Sequence, residues 1–180
     1  MKSILITTCV LLLMLPLAAQ DADKRPGATL GLQLTEVGQH YGIGLNAATP
    51  LIWQNRLALR LTGTMHYYEL NGTLEKPLDW YPFAQFRLGV VNYASVCACG
   101  VRVYGETGPV AVLPGKAFSN GAWQFGWFGL FGAEFLMSDH ALFFFEMGGQ
   151  GVSNESAEIP LGNSTFGNGF IVAAGFRFQF

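Results

Sequence analysis

The chain has 180 residues, room for one domain, and is 51% hydrophobic but only 12% charged, with 23 glycines and 15 phenylalanines. A formal charge of −2 excludes nucleic-acid binding by electrostatics, and three cysteines exclude a small disulfide-dense scaffold. Past the first 19 residues no segment reaches the roughly 18 uninterrupted apolar residues of a spanning helix, so membrane-spanning helices are excluded as well.

The chain opens on MKSILITTCVLLLMLPLAA (1–19): a lysine near the start, an apolar core from Ile4 to Leu17, then small residues ahead of the charged run DADKR. This is the pattern of a secretory signal peptide cut after Ala19, although Leu17, third before that cut, is larger than usual. Cleavage removes Lys2 and Cys9, leaving 9 Lys and Arg against 12 Asp and Glu, a formal charge of −3. Cys9 lacks the small residues that precede a lipidated cysteine. Residues 20–27 then form a short periplasmic segment, and 28–180 a single β domain.

From residue 28 onward, apolar residues alternate with small or polar ones, the period of strands. Leu30, Leu32 and Leu34 oppose Thr29, Gly31 and Gln33; Tyr41, Ile43, Leu45 and Ala47 oppose Gly42, Gly44 and Asn46. Leu57, Leu59, Leu61, Met65 and Tyr67 oppose Arg60, Thr62, Thr64 and His66, while Trp80, Ala84, Phe86, Leu88 and Val90 oppose Phe83, Gln85, Arg87 and Gly89. Val101 and Val103 oppose Arg102, Tyr104 and Glu106; Trp123, Phe125, Trp127, Phe131 and Phe135 oppose Gln124, Gly126, Gly132 and Glu134. Ala141, Phe143, Phe145 and Met147 oppose Phe144, Glu146, Gly148 and Gln150, and Phe170 to Phe180 alternates to the end. This makes about eight strands.

Connections alternate in length. WQN (53–55), NYASV (92–96) and SDH (138–140) are short; ELNGTLEKPLD (69–79), PVAVLPGKAFSNG (109–121) and VSNESAEIPLGNSTFGN (152–168) are long, and TEVGQH (35–40) is a brief link. Short periplasmic turns and longer extracellular loops are the pattern of an outer-membrane barrel, with both termini in the periplasm.

The polar face separates a membrane barrel from a soluble one. In water it would carry many Lys, Glu and Asp. Here it carries glycine, a few amides and the charges Arg60, Arg87, Arg102, Arg177, Glu106, Glu134 and Glu146. Small residues suit the narrow interior of an eight-stranded barrel, and buried charges must pair. The expected fold is therefore all-β, a closed antiparallel transmembrane β-barrel of about eight strands, its lumen plugged by an Arg/Glu network that joins all four guanidinium groups to the carboxylates. Aromatics at strand ends mark two interfacial girdles: Tyr41, Tyr67, Trp80 and Trp123 toward the long loops, Trp53, Tyr93 and Phe180 toward the short turns.

The last strand, GFIVAAGFRFQF, closes on an aromatic, with Phe176, Phe178 and Phe180 on one face. It resembles the C-terminal insertion signal of bacterial outer-membrane proteins, which implies the barrel-assembly machinery as a partner. GAEFLMSDHALFFFEMGGQG (132–151) is similar to the penultimate hairpin of the outer-membrane β-barrel domain family, the small OmpA/OmpX-type barrels often named porin family proteins: a G-x-E-aromatic strand, a tight S/T-D-x turn, and a return strand with an inward glutamate. The resemblance covers essentially all of 28–180 and speaks to fold and location rather than activity. Members with a C-terminal peptidoglycan-binding domain continue past the barrel, whereas this sequence stops at Phe180.

Three constellations invite chemistry. Ser138, Asp139 and His140 are consecutive in a turn and cannot align as nucleophile, base and orienter. His66, Tyr68 and Glu69 sit at the outer end of one strand, where some lipid A acyltransferases and deacylases use His and Ser, but no Ser matches. Cys97 and Cys99 share the apolar parity; a strained disulfide and a partial metal site compete with two small apolar side chains at the membrane edge. The expectation is a non-enzymatic, structural or loop-binding outer-membrane protein without cofactor, a monomer surrounded by outer-membrane lipid and lipopolysaccharide, with an unidentified extracellular ligand. An enzyme acting on lipid A and a narrow channel are the alternatives.

Overall fold

The computed structural model describes residues 27–70, 79–97, 100–114, 123–153 and 167–180. Eight strands follow one another in chain order: β1 (Thr29–Val37), β2 (His40–Ala48), β3 (Leu57–Leu70), β4 (Asp79–Cys97), β5 (Val101–Leu113), β6 (Gln124–Leu136), β7 (Ala141–Val152) and β8 (Gly169–Gln179). Each pairs antiparallel with its sequence neighbour, and β8 returns to β1, closing the barrel. Closure satisfies the sheet edge that an open meander would leave bare. None of the described helices is long and apolar enough to cross a membrane.

The register fixes the shape. From Thr62 the ladder runs through Arg87, Val110 and Gly126 to Val152; the other way round it runs through Asn46, Gly31 and Arg177 to Leu142. The walk closes 10 residues out of step on β7, so the strands tilt, as a closed eight-stranded sheet requires.

Alternation then sorts every strand into two faces. Leu30, Leu32, Leu34, Ile43, Leu45, Leu59, Leu61, Phe86, Leu88, Phe125, Phe131, Met147, Phe176 and Phe178 are exposed on the outer wall. Arg60, Arg177, Glu134, Glu146, Gln33 and Gln85 are buried in the lumen together with Phe83, Phe128, Phe144, Leu142 and Ile171. The usual inside and outside of a water-soluble protein are exchanged.

Strand ends lie further along the chain than the turn signals imply. The link at 35–40 is mostly strand, since Val37 pairs with His40 around Gly38, whose φ of +64° a glycine adopts without strain. NYASV is not a turn: β4 continues to Cys97 with a register shift between Ser95 and Cys97, and the reversal follows it. Likewise β5 runs through 109–113, which the alternation had assigned to a loop. Pro109 sits there without an N–H to donate, and the β4–β5 ladder skips from Arg87↔Val110 to Val90↔Thr107 around it. Between β2 and β3, the turn Trp53–Arg56 takes left-handed φ at Trp53, Gln54 and Asn55.

Candidate functional site

The lumen gathers Arg60, Arg177 and three glutamates into one cluster. Arg60 on β3 reaches across the barrel: its Nη1 donates to Glu106 Oε2 on β5 at 2.7 Å and to Glu146 Oε1 on β7 at 2.8 Å, and its Nη2 to the Tyr93 hydroxyl at 3.0 Å. Arg177 on β8 uses all three nitrogens. Nε donates to Asn46 Oδ1 at 3.0 Å, Nη1 to Glu134 Oε1 at 2.6 Å and to the Tyr104 hydroxyl at 2.8 Å, and Nη2 to Glu146 Oε1 at 2.5 Å. Tyr104 in turn donates its proton to Glu146 Oε1, and Asn46 donates to Gln33 Oε1 at 2.9 Å. Each arginine thus spreads its N–H groups over two carboxylates, and such charge-assisted guanidinium–carboxylate bonds are among the stronger hydrogen bonds available to a protein.

Aromatic rings fill the spaces between the ions. The Arg177 guanidinium lies 3.7 Å from the Phe144 ring centroid, and Arg60 lies 4.8 Å from that of Tyr104. Gly132 makes room for Tyr104, its cross-strand partner, because a Cβ there would come within 2.3 Å of the ring carbon that bears the hydroxyl. Gly89 serves the Glu106 side chain in the same way.

Arg102 stands at the short-turn margin of this cluster, its side chain 25% exposed, with Nη2 3.1 Å from Glu134 Oε2 but out of hydrogen-bond alignment. Arg87 does not join it. It is 2% exposed, no carboxylate among the described residues lies within ion-pair distance, and its Nε and Nη1 have no hydrogen-bond partner. The Phe128 ring lies 5.4 Å from the guanidinium carbon. The expectation that all four arginines pair is thereby corrected. The three carboxylates are engaged by Arg60, Arg102 and Arg177 instead.

Tyr93 is also corrected. It was expected in the membrane girdle, but its hydroxyl lies inside, accepting from Arg60 and donating toward Glu134 Oε1 at 3.4 Å. The signal was present: Tyr93 has the parity of Arg87 and Gly89, and only the misplaced turn at 92–96 concealed it. Tyr41, Trp53, Tyr67 and Trp123 are exposed on the outer wall, as is Phe180 at 79%. The side chains of Trp80, Tyr68, Glu69 and Cys97, and Cys99 altogether, lie outside the described residues.

Toward the long-loop end, the lumen turns apolar and amide-lined. Val37, Phe83, Val110, Val112, Phe128, Leu130 and Ile171 form one packed cluster. Across it, Gln85 on β4 and Gln150 on β7 exchange two amide hydrogen bonds of 3.0 and 2.9 Å, and Gln150 also donates to the Gly167 carbonyl. His66 is fully buried, stacked on Phe83 at 5.1 Å; its Nδ1 lies 3.2 Å from the His40 carbonyl and its Nε2 2.9 Å from the Thr64 hydroxyl. The carbonyl fixes the proton on Nδ1, so Nε2 accepts from Thr64. At the opposite rim, Ser138 Oγ accepts from the backbone of His140 and Ala141 while the His140 ring faces the Gln179 carbonyl, so these residues cap a turn instead of forming a relay.

The terminal strand is anchored at its end. Gln179 N donates to the His140 carbonyl and Phe180 N to that of Ala28, while Phe176, Phe178 and Phe180 project outward.

No protein-family model and no curated protein matches the sequence. Among solved structures, the chain is similar to the N-terminal β-barrel domain of Pseudomonas aeruginosa OprF, at 10% identity over 87% of this chain and 98% of that chain, with a TM-score of 0.58. It also matches the outer membrane protein OprG from Pseudomonas aeruginosa (13% identity, 87% and 97% covered, TM-score 0.49). Ail, the attachment invasion locus protein of Yersinia pestis, matches at 9% identity, 87% and 99% covered, TM-score 0.46. The likeness to the OprF barrel is one of fold alone, that of a β-barrel, which in this chain is closed, antiparallel and eight-stranded.

Proposed function

We propose that this protein is an integral protein of the bacterial outer membrane, non-enzymatic, whose barrel is a plugged anchor that presents its long loops to the outside. The observation that carries the reading is the exchange of faces: large apolar side chains cover the wall while arginines and glutamates are buried within. Such a wall is stable only against hydrocarbon, and a closed barrel is the one sheet that leaves no backbone group unsatisfied there. Export then runs through the leader at 1–19, and insertion through the terminal strand and the barrel-assembly machinery.

Two features support a plug over a channel and an anchor over an enzyme. Arg60 and Glu146 join β3 to β7, strands on opposite sides of the barrel, with Tyr104 and Arg177 packed against the same carboxylate. His66, the histidine best placed for outer-leaflet chemistry, is buried with both ring nitrogens engaged. Lipid A mass spectrometry on cells overexpressing the protein, paired with planar-bilayer recording of the purified protein, tests the reading. Unchanged lipid A and no steady conductance are expected; a new acylation state or a persistent open level would replace it with an enzyme or a channel.

A further inference from the structure

The lumen holds four arginines against three glutamates, a surplus of one positive charge, whereas the outer wall carries a carboxylate of its own. Glu36 on β1 has the outward parity of Leu34, while Thr35 and Val37 beside it are buried inside. No Lys or Arg among the described residues lies within ion-pair distance of it. Strand pairing sets Glu36 opposite Tyr41, and the Gly42↔His66 pair sets Tyr41 beside Tyr67 on the same outward face. Both phenols are exposed. The next outward rows toward the short turns are Leu34–Ile43–Met65 and then Leu32–Leu45–Gly63–Phe86. Here the wall is notched: an apolar groove of about 640 Å³ runs down β1 to β4 between Leu32, Leu45, Leu61, Met65 and Phe86, with Gly63 at its centre. A Cβ on Gly63 would meet only the Phe86 ring, at 3.4 Å, so the missing side chain leaves space on the outer side and relieves no crowding of the backbone.

We infer that this groove holds an acyl chain of a phospholipid whose headgroup carries a primary ammonium, phosphatidylethanolamine in chemical class, with the ammonium seated against Glu36, Tyr41 and Tyr67. The inference rests on the reading of the wall as lipid-facing and adds to it a particular lipid at a particular place. An ionised carboxylate at the edge of hydrocarbon needs a counter-charge, and the described chain supplies none. An ammonium supplies it, donates hydrogen bonds to the carboxylate, and is attracted by the faces of the phenol rings. Tyrosines on a barrel wall stand at headgroup level, so the chain of the same lipid descends into the groove below them. An anionic headgroup would meet Glu36 with like charge. A second copy docked on the groove about a two-fold axis would turn the two Glu36 side chains toward each other in a medium of low dielectric, which favours lipid as the occupant.

The test inserts the full-length protein into vesicles of equimolar phosphatidylethanolamine and phosphatidylglycerol with identical chains, extracts it in mild detergent, and counts retained lipids by native mass spectrometry. The wild type should keep one lipid, with the ethanolamine form favoured roughly fivefold. Glu36→Gln should still keep a lipid but lose the preference. Gly63→Leu, which fills the groove from its open side, should keep neither form, while the heat-modifiable gel shift reports that it is folded. A wild type that retains both lipids equally overturns the inference without recourse to any variant. So does a Glu36→Gln protein with the preference intact, a folded Gly63→Leu protein with its lipid intact, or a dimer that Gly63→Leu dissociates. Failure to insert into vesicles of any composition overturns the lipid-facing reading as well, whereas insertion without headgroup preference overturns this inference alone.

Discussion

Replacing Glu146 by Gln should weaken the barrel more than any other single loss of charge. One oxygen of Glu146 accepts from Arg60, Arg177 and Tyr104 together, at 2.8, 2.5 and 2.5 Å, and the side chain is 2% exposed. The variant keeps an acceptor of the same shape but leaves two guanidinium groups with Glu106 and Glu134 alone, so the lumen surplus rises by one. Breaking a buried pair from one side costs about 3–5 kcal/mol, and the retained amide oxygen favours the lower end. With a urea slope of about 2 kcal/mol/M, the midpoint should fall by roughly 1.5–2.5 M. The control is Arg56→Gln, which removes a charge from the exposed turn before β3 and should stay within about 0.5 kcal/mol of wild type. Tryptophan fluorescence in lipid vesicles and the heat-modifiable gel shift report the folded fraction. If Glu146→Gln and Arg56→Gln unfold at the same urea concentration, the ionic cluster contributes nothing and the derivation fails.

Tyr93→Phe removes the hydroxyl that accepts from Arg60 and should cost about 1.5–3 kcal/mol by the same assay, whereas a tyrosine facing the membrane interface would lose almost nothing. Gly132→Ala should destabilise by roughly 1–3 kcal/mol, because the added methyl displaces the Tyr104 ring from Glu146; in a Tyr104→Ala background, itself destabilised, the same substitution should cost much less. Deleting Phe180 should reduce assembled protein in the membrane more than deleting one residue from the loop 152–168, read as heat-modifiable band intensity; equal yields would remove the terminal strand from its proposed role in insertion.

The fold was legible because period-two alternation is a local signal that survives without knowledge of any partner. Every residue from Leu57 to Tyr67 could be placed inside or outside from the sequence alone. Turn positions were less legible. Asn92 and Ser95 are turn formers by type, yet strand pairing with β5 carries the chain through them to Cys97. That error moved Tyr93 to the wrong face. Pairing inside the lumen was half legible: parity brought seven charges indoors, but which carboxylate meets which arginine depends on the 10-residue shear, a property of the closed ring. Arg87 illustrates the limit, since nothing in its own strand distinguishes it from Arg60.

The same shear explains why a barrel with so apolar a wall needs charges at all. Alternation penalises a register slip of one residue, because every side chain would change faces. A slip of two residues keeps all apolar groups outside and all small groups inside, and the hydrocarbon cannot sense it. Such a slip displaces one strand by about 6.6 Å along its neighbour. The contacts from Arg60 to Glu106 and Glu146, at 2.7 and 2.8 Å, cannot survive that displacement, nor can the Tyr104 ring remain over Gly132. Buried ion pairs contribute little net stability compared with apolar packing, but an alternative register that strands them is heavily disfavoured. The lumen charges therefore act chiefly against even-numbered slips, the one class of misassembly that the amphipathic pattern leaves open. Replacing Arg60, Arg177, Glu106 and Glu146 together by apolar residues of similar volume removes two charges of each sign, and should accordingly preserve thermal stability better than Glu146→Gln alone while broadening the register. Disulfide trapping of cysteines placed at Leu59 and at Val90, its β4 partner, or at Leu88 or Asn92, two residues to either side, reads that register directly; trapping confined to Val90 in the quadruple variant would refute the assignment.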